Sequence, residues 1–319
     1  MNFVFLMDPL ETVKIGSDTT YAFMRAAFKR GGHVFYLVHN GITRRDGKTF
    51  FKAVEVRPMA NKNDPFVRLK NLTLSEEKVD ALFIRTDPPF NDAYLLNTWL
   101  LDLLPPSIVV INNPRAVRDV NEKIWASQFT ALVPPTIISS SKAELLSFIK
   151  RHKDVIAKPT DGHGGKGVFH LKGGDTNVTV TLETLTSQFK KHIILQKFVS
   201  ASRKGDKRIL LLNGEPLGAV LRVHRRDEHR NNFYAGGHKK KTTITQRDKE
   251  IIRTLKPHLQ EMGLYFVGID ILGDYLVEVN VTSPTCLQEM NRLYGKNLEK
   301  KVIVFVEELV AENKRLSKI

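Results

Sequence analysis

Asp270, Glu278 and Asn280 are the residues whose types and spacing point most directly to chemistry. Glu278 and Asn280 stand two apart in an alternating run, so both fall on one face of a strand. Asp270 lies in Phe-Val-Gly-Ile-Asp-Ile, surroundings too apolar for a carboxylate that is merely exposed. Three oxygen donors with room left for water and phosphate suit Mg2+. A set of exposed strand carboxylates is the plainer alternative, and the setting of Asp270 argues against it.

A second group precedes it. Asp161-Gly-His-Gly-Gly-Lys-Gly167 joins two apolar segments, and Gly162, Gly164 and Gly165 would let backbone N–H groups approach phosphate oxygens. The loop is neither a Walker A motif, since no Gly-Lys-Ser/Thr opens a helix, nor a Rossmann fingerprint. Lys158, ending the apolar Val-Ile-Ala run, stands where a cation reaches a phosphate. Gln196, Lys197, Phe198 and Val199 close another strand and offer backbone groups and apolar surface to an adenine. Each feature alone has a bland reading, a mobile hairpin or a snorkelling lysine; together they describe a nucleotide cleft.

The segment from Arg222 to Lys241 holds seven Lys and Arg against Asp227 and Glu228, a third of the net charge of +15. Such a segment serves as a clamp for carboxylate and phosphate or as a nucleic-acid footprint. Only Phe233 and Tyr234 interleave with it, which weakens base stacking. Charge alone leaves the other two readings open.

These residues need a scaffold, and the hydrophobic pattern supplies an α/β one. Phe3 to Met7 reads as a strand, Ser17 or Asp18 caps a helix over 19–30, and Val34 to Val38 follows as a strand. Strands at 81–84 and 108–112 flank a helix over 93–104, the βαβ rhythm of a parallel sheet. Beyond Asn121 come a helix to Phe129, a helix over 143–151, and strands at 155–158, 168–171 and 193–196, a small α+β unit. Strands at 208–212 and 219–223, a helix over 246–262, a hairpin of 266–271 and 275–279 turned at Gly273-Asp274, and a closing helix through Val302, Val306 and Val310 complete the chain.

The 319 residues, 42% hydrophobic and 26% charged, describe an ordinary globular chain with more than one core. One cysteine, Cys286, excludes an internal disulfide framework and any multi-cysteine zinc site and fits a reducing compartment, so a cytoplasmic location is expected. Cys286 itself reads as a small buried residue. Met1 to Pro9 lacks the basic start of a signal peptide, and the apolar stretch over 95–111 is broken by Asn97, Asp102 and Pro105-Pro106, so no membrane partner is expected.

The order Arg85-Thr-Asp-Pro-Pro-Phe90, Asn121-Glu-Lys123, Lys158-Pro-x-Asp-Gly-x-Gly-Gly165, Gly205-Asp-Lys-Arg208, Gly236-Gly237, Phe266-Val-Gly-Ile-Asp-Ile271 and Glu278-Val-Asn-Val-Thr-Ser-Pro-Thr285 resembles the bacterial-type glutathione synthetases of the ATP-grasp superfamily. The resemblance runs over almost the whole chain. It implies a Rossmann-like pre-ATP-grasp domain over 1–120, an ATP-grasp lid over 121–198 and an α+β catalytic domain over 199–319. It implies ATP with Mg2+, or Mn2+ in its place, and the substrates γ-glutamylcysteine and glycine, joined through an acyl phosphate. By the same resemblance Lys123 and Lys158, with Lys207 nearby, serve the ATP phosphates, and Asp270, Glu278 and Asn280 the metal. Arg208, Arg222 and Arg230 serve the reacting groups, while Arg85, Gly236, Gly237, Ser283, Pro284 and Thr285 lie on the substrate side. A homo-oligomer, a tetramer, is the expected assembly, and no specific nucleic acid is expected. The segment from His224 to Phe233 departs from the family, with glycines replaced and charge added, which implies a stiffer, more cationic lid. A ligase for another amine, or a basic nucleic-acid-binding protein on the same scaffold, are the alternatives.

Overall fold

A computed structural model describes residues 1–61, 63–162, 164–223 and 238–316. In chain order its elements are β1 (Asn2–Met7), α1 (Thr19–Lys29), β2 (His33–Arg45), β3 (Lys48–Pro58), β4 (Phe66–Ser75), β5 (Ala81–Arg85), α2 (Asp92–Leu101), β6 (Val109–Ile111) and α3 (Pro114–Asp119). There follow β7 (Thr136–Ser139), α4 (Lys142–His152), β8 (Asp154–Pro159), β9 (Phe169–Lys172), α5 (Val178–Leu185) and β10 (Ile193–Lys197). The chain then forms β11 (Asp206–Leu212), β12 (Glu215–Val223), β13 (His238–Lys240), α6 (Gln246–Glu261), β14 (Phe266–Leu272), β15 (Tyr275–Asn280), α7 (Leu287–Tyr294) and α8 (Leu298–Leu316).

Three sheets result, in the orders β4-β3-β2-β1-β5-β6, β7-β10-β8-β9 and β13-β12-β11-β14-β15. In the first, β2, β1, β5 and β6 are parallel. The βαβ expectation therefore holds for its centre, whereas β3 and β4 add an antiparallel pair at one edge. The central β1 is apolar without alternation because both faces are covered: Val4 and Leu6 enter one core, Phe3 and Phe5 another.

Those two cores run on into the third sheet, through Ile209 and Val267 on one side and Leu210 and Phe266 on the other. The buried Asn112 side chain fastens the junction, donating to Phe266 O at 2.9 Å and Val281 O at 2.8 Å and accepting from Phe266 N at 2.8 Å. The closing α8 packs back against α1, where Arg30 Nε donates to Glu307 Oε1 at 3.0 Å. The second sheet has its own core of Leu145, Phe148, Val155, Leu182 and Ile193 under α4 and α5. Among the described residues no helix is long and apolar enough to cross a membrane.

The expected helix from Asn121 to Phe129 is reduced to a 3-10 turn over Trp125–Gln128. Asn121 Oδ1 accepts from Lys123 N at 3.1 Å and Ile124 N at 3.0 Å, as a helix N-cap does, but the winding ends at Phe129, which leaves helical geometry just before the Val133-Pro134-Pro135 break.

Candidate active site between the second and third sheets

A cavity of about 290 Å3 lies between the second sheet and the third. One wall starts from β8, whose antiparallel pairing with β9 sets Ala157 opposite Phe169 and turns the glycine-rich segment into the loop between them. The turn is tight. A Cβ on Gly162 would meet Pro159 Cγ at 2.6 Å and Lys166 O at 3.1 Å, so only glycine fits without displacement.

Lys158 is 6% exposed, and its Nζ donates to Gln196 Oε1 at 3.4 Å. Burial is the main influence on its ammonium and holds it below the ordinary lysine range, with Glu278 pulling the other way. Lys123 Nζ donates to Gly162 O and lies 3.5 Å from Glu278 Oε1, so it bridges the two walls. Along β10 and just beyond it, Lys197 N and Phe198 N donate to Pro135 O and Asp154 O at 2.8 and 2.9 Å, and the Phe198 ring stacks on His170. Lys197 to Val199 edge the cavity with Gln196.

The opposite wall is charged. Register sets Asp206 opposite Arg222 and Arg208 opposite Asp270. Arg208 donates from Nε to Asp270 Oδ1 at 2.5 Å and from Nη2 to Oδ2 at 2.8 Å, a two-pronged pair. Arg222 donates to Asp206 through Nε at 3.1 Å and through Nη2, and the same Nη2 lies 2.9 Å from Asp270 Oδ2. Burial would raise Asp270, but Arg208 and Arg222 outweigh it and hold the carboxyl well below its ordinary value. Burial dominates at Asp206 and raises it, against the pull of Arg222.

Glu278 lies across the β14–β15 ladder from Asp270, and Asn280 across from Gly268, so the three oxygen-bearing side chains share the cavity face. Asn280 Nδ2 donates to Gly268 O at 3.1 Å and lies 3.4 Å from Asp270 Oδ2. No group of three His, Cys, Asp or Glu that could hold a metal is found among the described residues, and the oxygen-bearing side chains on this face are the carboxylates of Asp270 and Glu278 and the amide of Asn280. Two carboxylates and an amide oxygen are hard donors that fit a divalent cation keeping part of its water shell.

Lys123, Lys158, Gly162, Gly164, Gly165, Gln196, Lys197, Phe198, Val199, Arg208, Arg222, Asp270, Glu278, Asn280, Ser283, Pro284 and Thr285 all line this one cavity. Lys207 does not. Strand alternation turns it to the other face of β11, where its Nζ pairs with the buried Asp248 of α6. Arg85 stands behind the wall rather than in it: Nε donates to Thr20 Oγ1 at 3.0 Å and Nη2 to Pro284 O at 3.1 Å, which fixes the 283–285 segment from the rear. Arg230, Gly236, Gly237 and the whole of the departing 224–233 segment lie outside the described residues. Cys286 is buried, as read from the sequence, and burial pushes its thiol up.

Among the lining residues that escaped the sequence reading are Asp206 and Glu122. Asp206 is the partner of Arg222, and the alternation that carries Lys207 away sets Asp206 on the same face as Arg208. Glu122 Oε1 accepts from Val281 N at 2.9 Å, Thr282 N at 3.1 Å and Thr282 Oγ1 at 2.8 Å, so it fixes the strand exit after Asn280. Both stand in motifs that carry the resemblance, beside residues that were singled out.

Residues 1–118 match the family model for the prokaryotic glutathione synthetase N-terminal domain, and residues 122–295 match that for the prokaryotic glutathione synthetase ATP-grasp domain. The chain belongs to the prokaryotic glutathione synthetases. It is 40% identical over 317 residues to the glutathione synthetase of Synechocystis sp., covering 96% of this chain and 99% of that one. It is likewise 40% identical over 317 residues to that of Gloeobacter violaceus, covering 97% of each. Among solved structures a D-cycloserine synthetase superposes with a TM-score of 0.67 at 12% identity, over 97% of this chain and all of that one, a likeness of fold. As a prokaryotic glutathione synthetase the chain is an ATP-dependent ligase that forms glutathione. Its family uses ATP with a divalent metal.

Proposed function

We propose that the cavity binds Mg-ATP with its triphosphate between Lys123, Lys158 and the Gly162–Gly165 turn, its adenine beside Gln196 to Val199, and its metal at Asp270, Glu278 and Asn280. The observation that carries this reading is the convergence of those residues, from five separate stretches of chain, on one cavity. Among the described residues Lys158 has no carboxylate within ion-pair distance, so an arriving phosphate is the natural partner for its charge. Mg2+ or Mn2+ held at the three oxygen donors supplies charge neutralisation at the phosphate oxygens.

In this reading the γ-glutamylcysteine carboxylate attacks the γ-phosphorus, the bond to ADP breaks, and the glycine amine then displaces phosphate from the acyl phosphate. Negative charge builds beside Arg208 and Arg222 in both steps. Both guanidiniums are locked by Asp206 and Asp270 before substrate arrives, so they need little reorganisation as charge develops. Ser283, Pro284 and Thr285, held from behind by Arg85, form the peptide-side edge. Residues 121–198 act as the lid and 199–319 as the catalytic domain, in a cytoplasmic homo-oligomer, with a tetramer as the assembly. The test is ADP release with Mg-ATP and γ-glutamylcysteine, with and without glycine, by the wild type and by Lys158→Met. Glycine-dependent release with glutathione identified by mass, and a raised ATP requirement in the variant, are expected. An unchanged ATP requirement removes Lys158 from the phosphate site.

A further inference from the structure

Helix α2 buries Tyr94 and Leu101 in the core, but it buries polar side chains beside them and exposes large apolar ones. Its polar Asn97 and Thr98 are buried, at 4% and 0% exposure, while Leu96 and Trp99 on the helix, and Leu103 in the turn that ends it, stand 52%, 53% and 55% exposed. Asn97 and Thr98 are satisfied: Asn97 Nδ2 lies 3.1 Å from His39 Nδ1, Thr98 Oγ1 donates to Leu95 O at 2.6 Å, and Arg118 Nη1 donates to Thr98 O at 3.0 Å. These bonds hold the helix in the orientation that turns Leu96 and Trp99 outward. Residues 93–101 contain no Lys, Arg, Asp or Glu, in a chain that is 26% charged. A helix apolar on all sides is normally covered on all sides, and a contiguous exposed apolar stripe marks a contact surface.

We infer that this stripe is a two-fold contact with a second copy of the chain, the two α2 helices lying antiparallel. Three features select a second copy over another partner. Leu96, Trp99 and Leu103 are spaced nearly evenly about Trp99, so a two-fold axis there sets Leu96 against the partner's Leu103 and Trp99 against its own equivalent, as a self-complementary interface requires. The rim is complementary to itself: Asp92 is exposed at the start of the helix, and Arg115, 71% exposed, reaches Asp102 at its end, so antiparallel pairing brings an acidic end to a basic one. Finally, copies that each carry +15 repel, and residues 1–120, with sixteen Lys and Arg against thirteen Asp and Glu, hold little of that excess. The inference rests on the proposal that the enzyme is a homo-oligomer and specifies one of its contacts.

The experiment is sedimentation velocity of the full chain at micromolar to tens-of-micromolar concentration, comparing wild type with Trp99→Glu. The expected result is an oligomeric wild type and a variant of half its mass with an unchanged circular dichroism spectrum. A wild-type monomer overturns the oligomer and the interface together; an oligomeric wild type with an unchanged variant overturns the interface alone. If Trp99→Glu does not fold, the Leu96→Cys, Leu103→Cys double variant decides: oxidation gives a disulfide-linked dimer if the helices pair antiparallel, and its absence in the oligomer overturns the arrangement.

Discussion

On the β8–β10 wall of the cavity Lys158 has a carboxamide for its neighbour, whereas on the β11–β15 wall Arg208 and Arg222 are matched one for one by Asp270 and Asp206. Both walls bury cations, and they deal with the cost in opposite ways. Lys158 is desolvated with little compensation, and its ammonium is held below the ordinary range. The arginines stay charged, because their carboxylates outweigh the burial that opposes them. A wall left short of negative charge is suited to receiving an anion that comes and goes. A wall whose charges are already paired is suited to holding fixed dipoles and cations in place while charge develops elsewhere.

The comparison can be broken on the charged wall first. Asp270→Asn removes a carboxylate shared by both arginines and one of the three proposed metal donors. Glycine-dependent ADP release is expected to fall by at least about a hundredfold, the scale of losing one preorganised electrostatic group. A rate near wild type in a coupled assay would sink the assignment of this wall to the chemistry.

Asp206→Ala leaves Arg222 buried without its closest partner. The expected loss is roughly 3–5 kcal/mol, as for other broken buried pairs, measured by urea denaturation. On the other wall Lys158→Met removes a poorly compensated charge and should leave stability unchanged or raised, while ATP affinity by calorimetry drops roughly tenfold or more, the worth of a charge-assisted bond. If Lys158→Met destabilises the fold as much as Asp206→Ala does, the two walls do not differ as argued.

Acid sharpens the contrast. The folded-state pKa of Asp270 is depressed below its ordinary value of 3.8, so the stability it contributes is present above that value and is lost as pH falls through the folded-state pKa. The stability gap between wild type and Asp270→Asn should hold from neutral pH down to about pH 5 and close only below the ordinary carboxylate range. A gap that closes above pH 5 would contradict the pairing. The smallest effect is expected at Gly162→Ala, where a methyl displaces the turn from Pro159: a rise of about fivefold in the ATP KM with the fold intact, the scale of the roughly 1 kcal/mol at the low end of what overpacking costs.

The parts of the site carried by local pattern were legible in the sequence. Gly273-Asp274 and the alternation through Glu278 and Asn280 predict the β14–β15 hairpin and its shared face, and the glycine run predicts the β8–β9 loop. Lys207 shows where that legibility ends. It sits beside Arg208 in a motif, yet pairs with Asp248 on the other side of the sheet, because which face of β11 meets α6 depends on packing far away in sequence.

Composition, glycine placement and two-residue periodicity by themselves determined that this chain is α/β, that it carries a glycine-rich loop between two strands, and that Glu278 and Asn280 share a face with Asp270 close by. These are properties of short segments, set by local sterics and alternation. Only the tertiary structure decided that Asp206 answers Arg222, that Arg85 supports Pro284 from behind, that Asn112 fastens the first sheet to the third, and that α2 turns Leu96 and Trp99 outward. Each of these depends on strand register or on contacts between distant segments, and no local pattern specifies which buried polar group will find which partner.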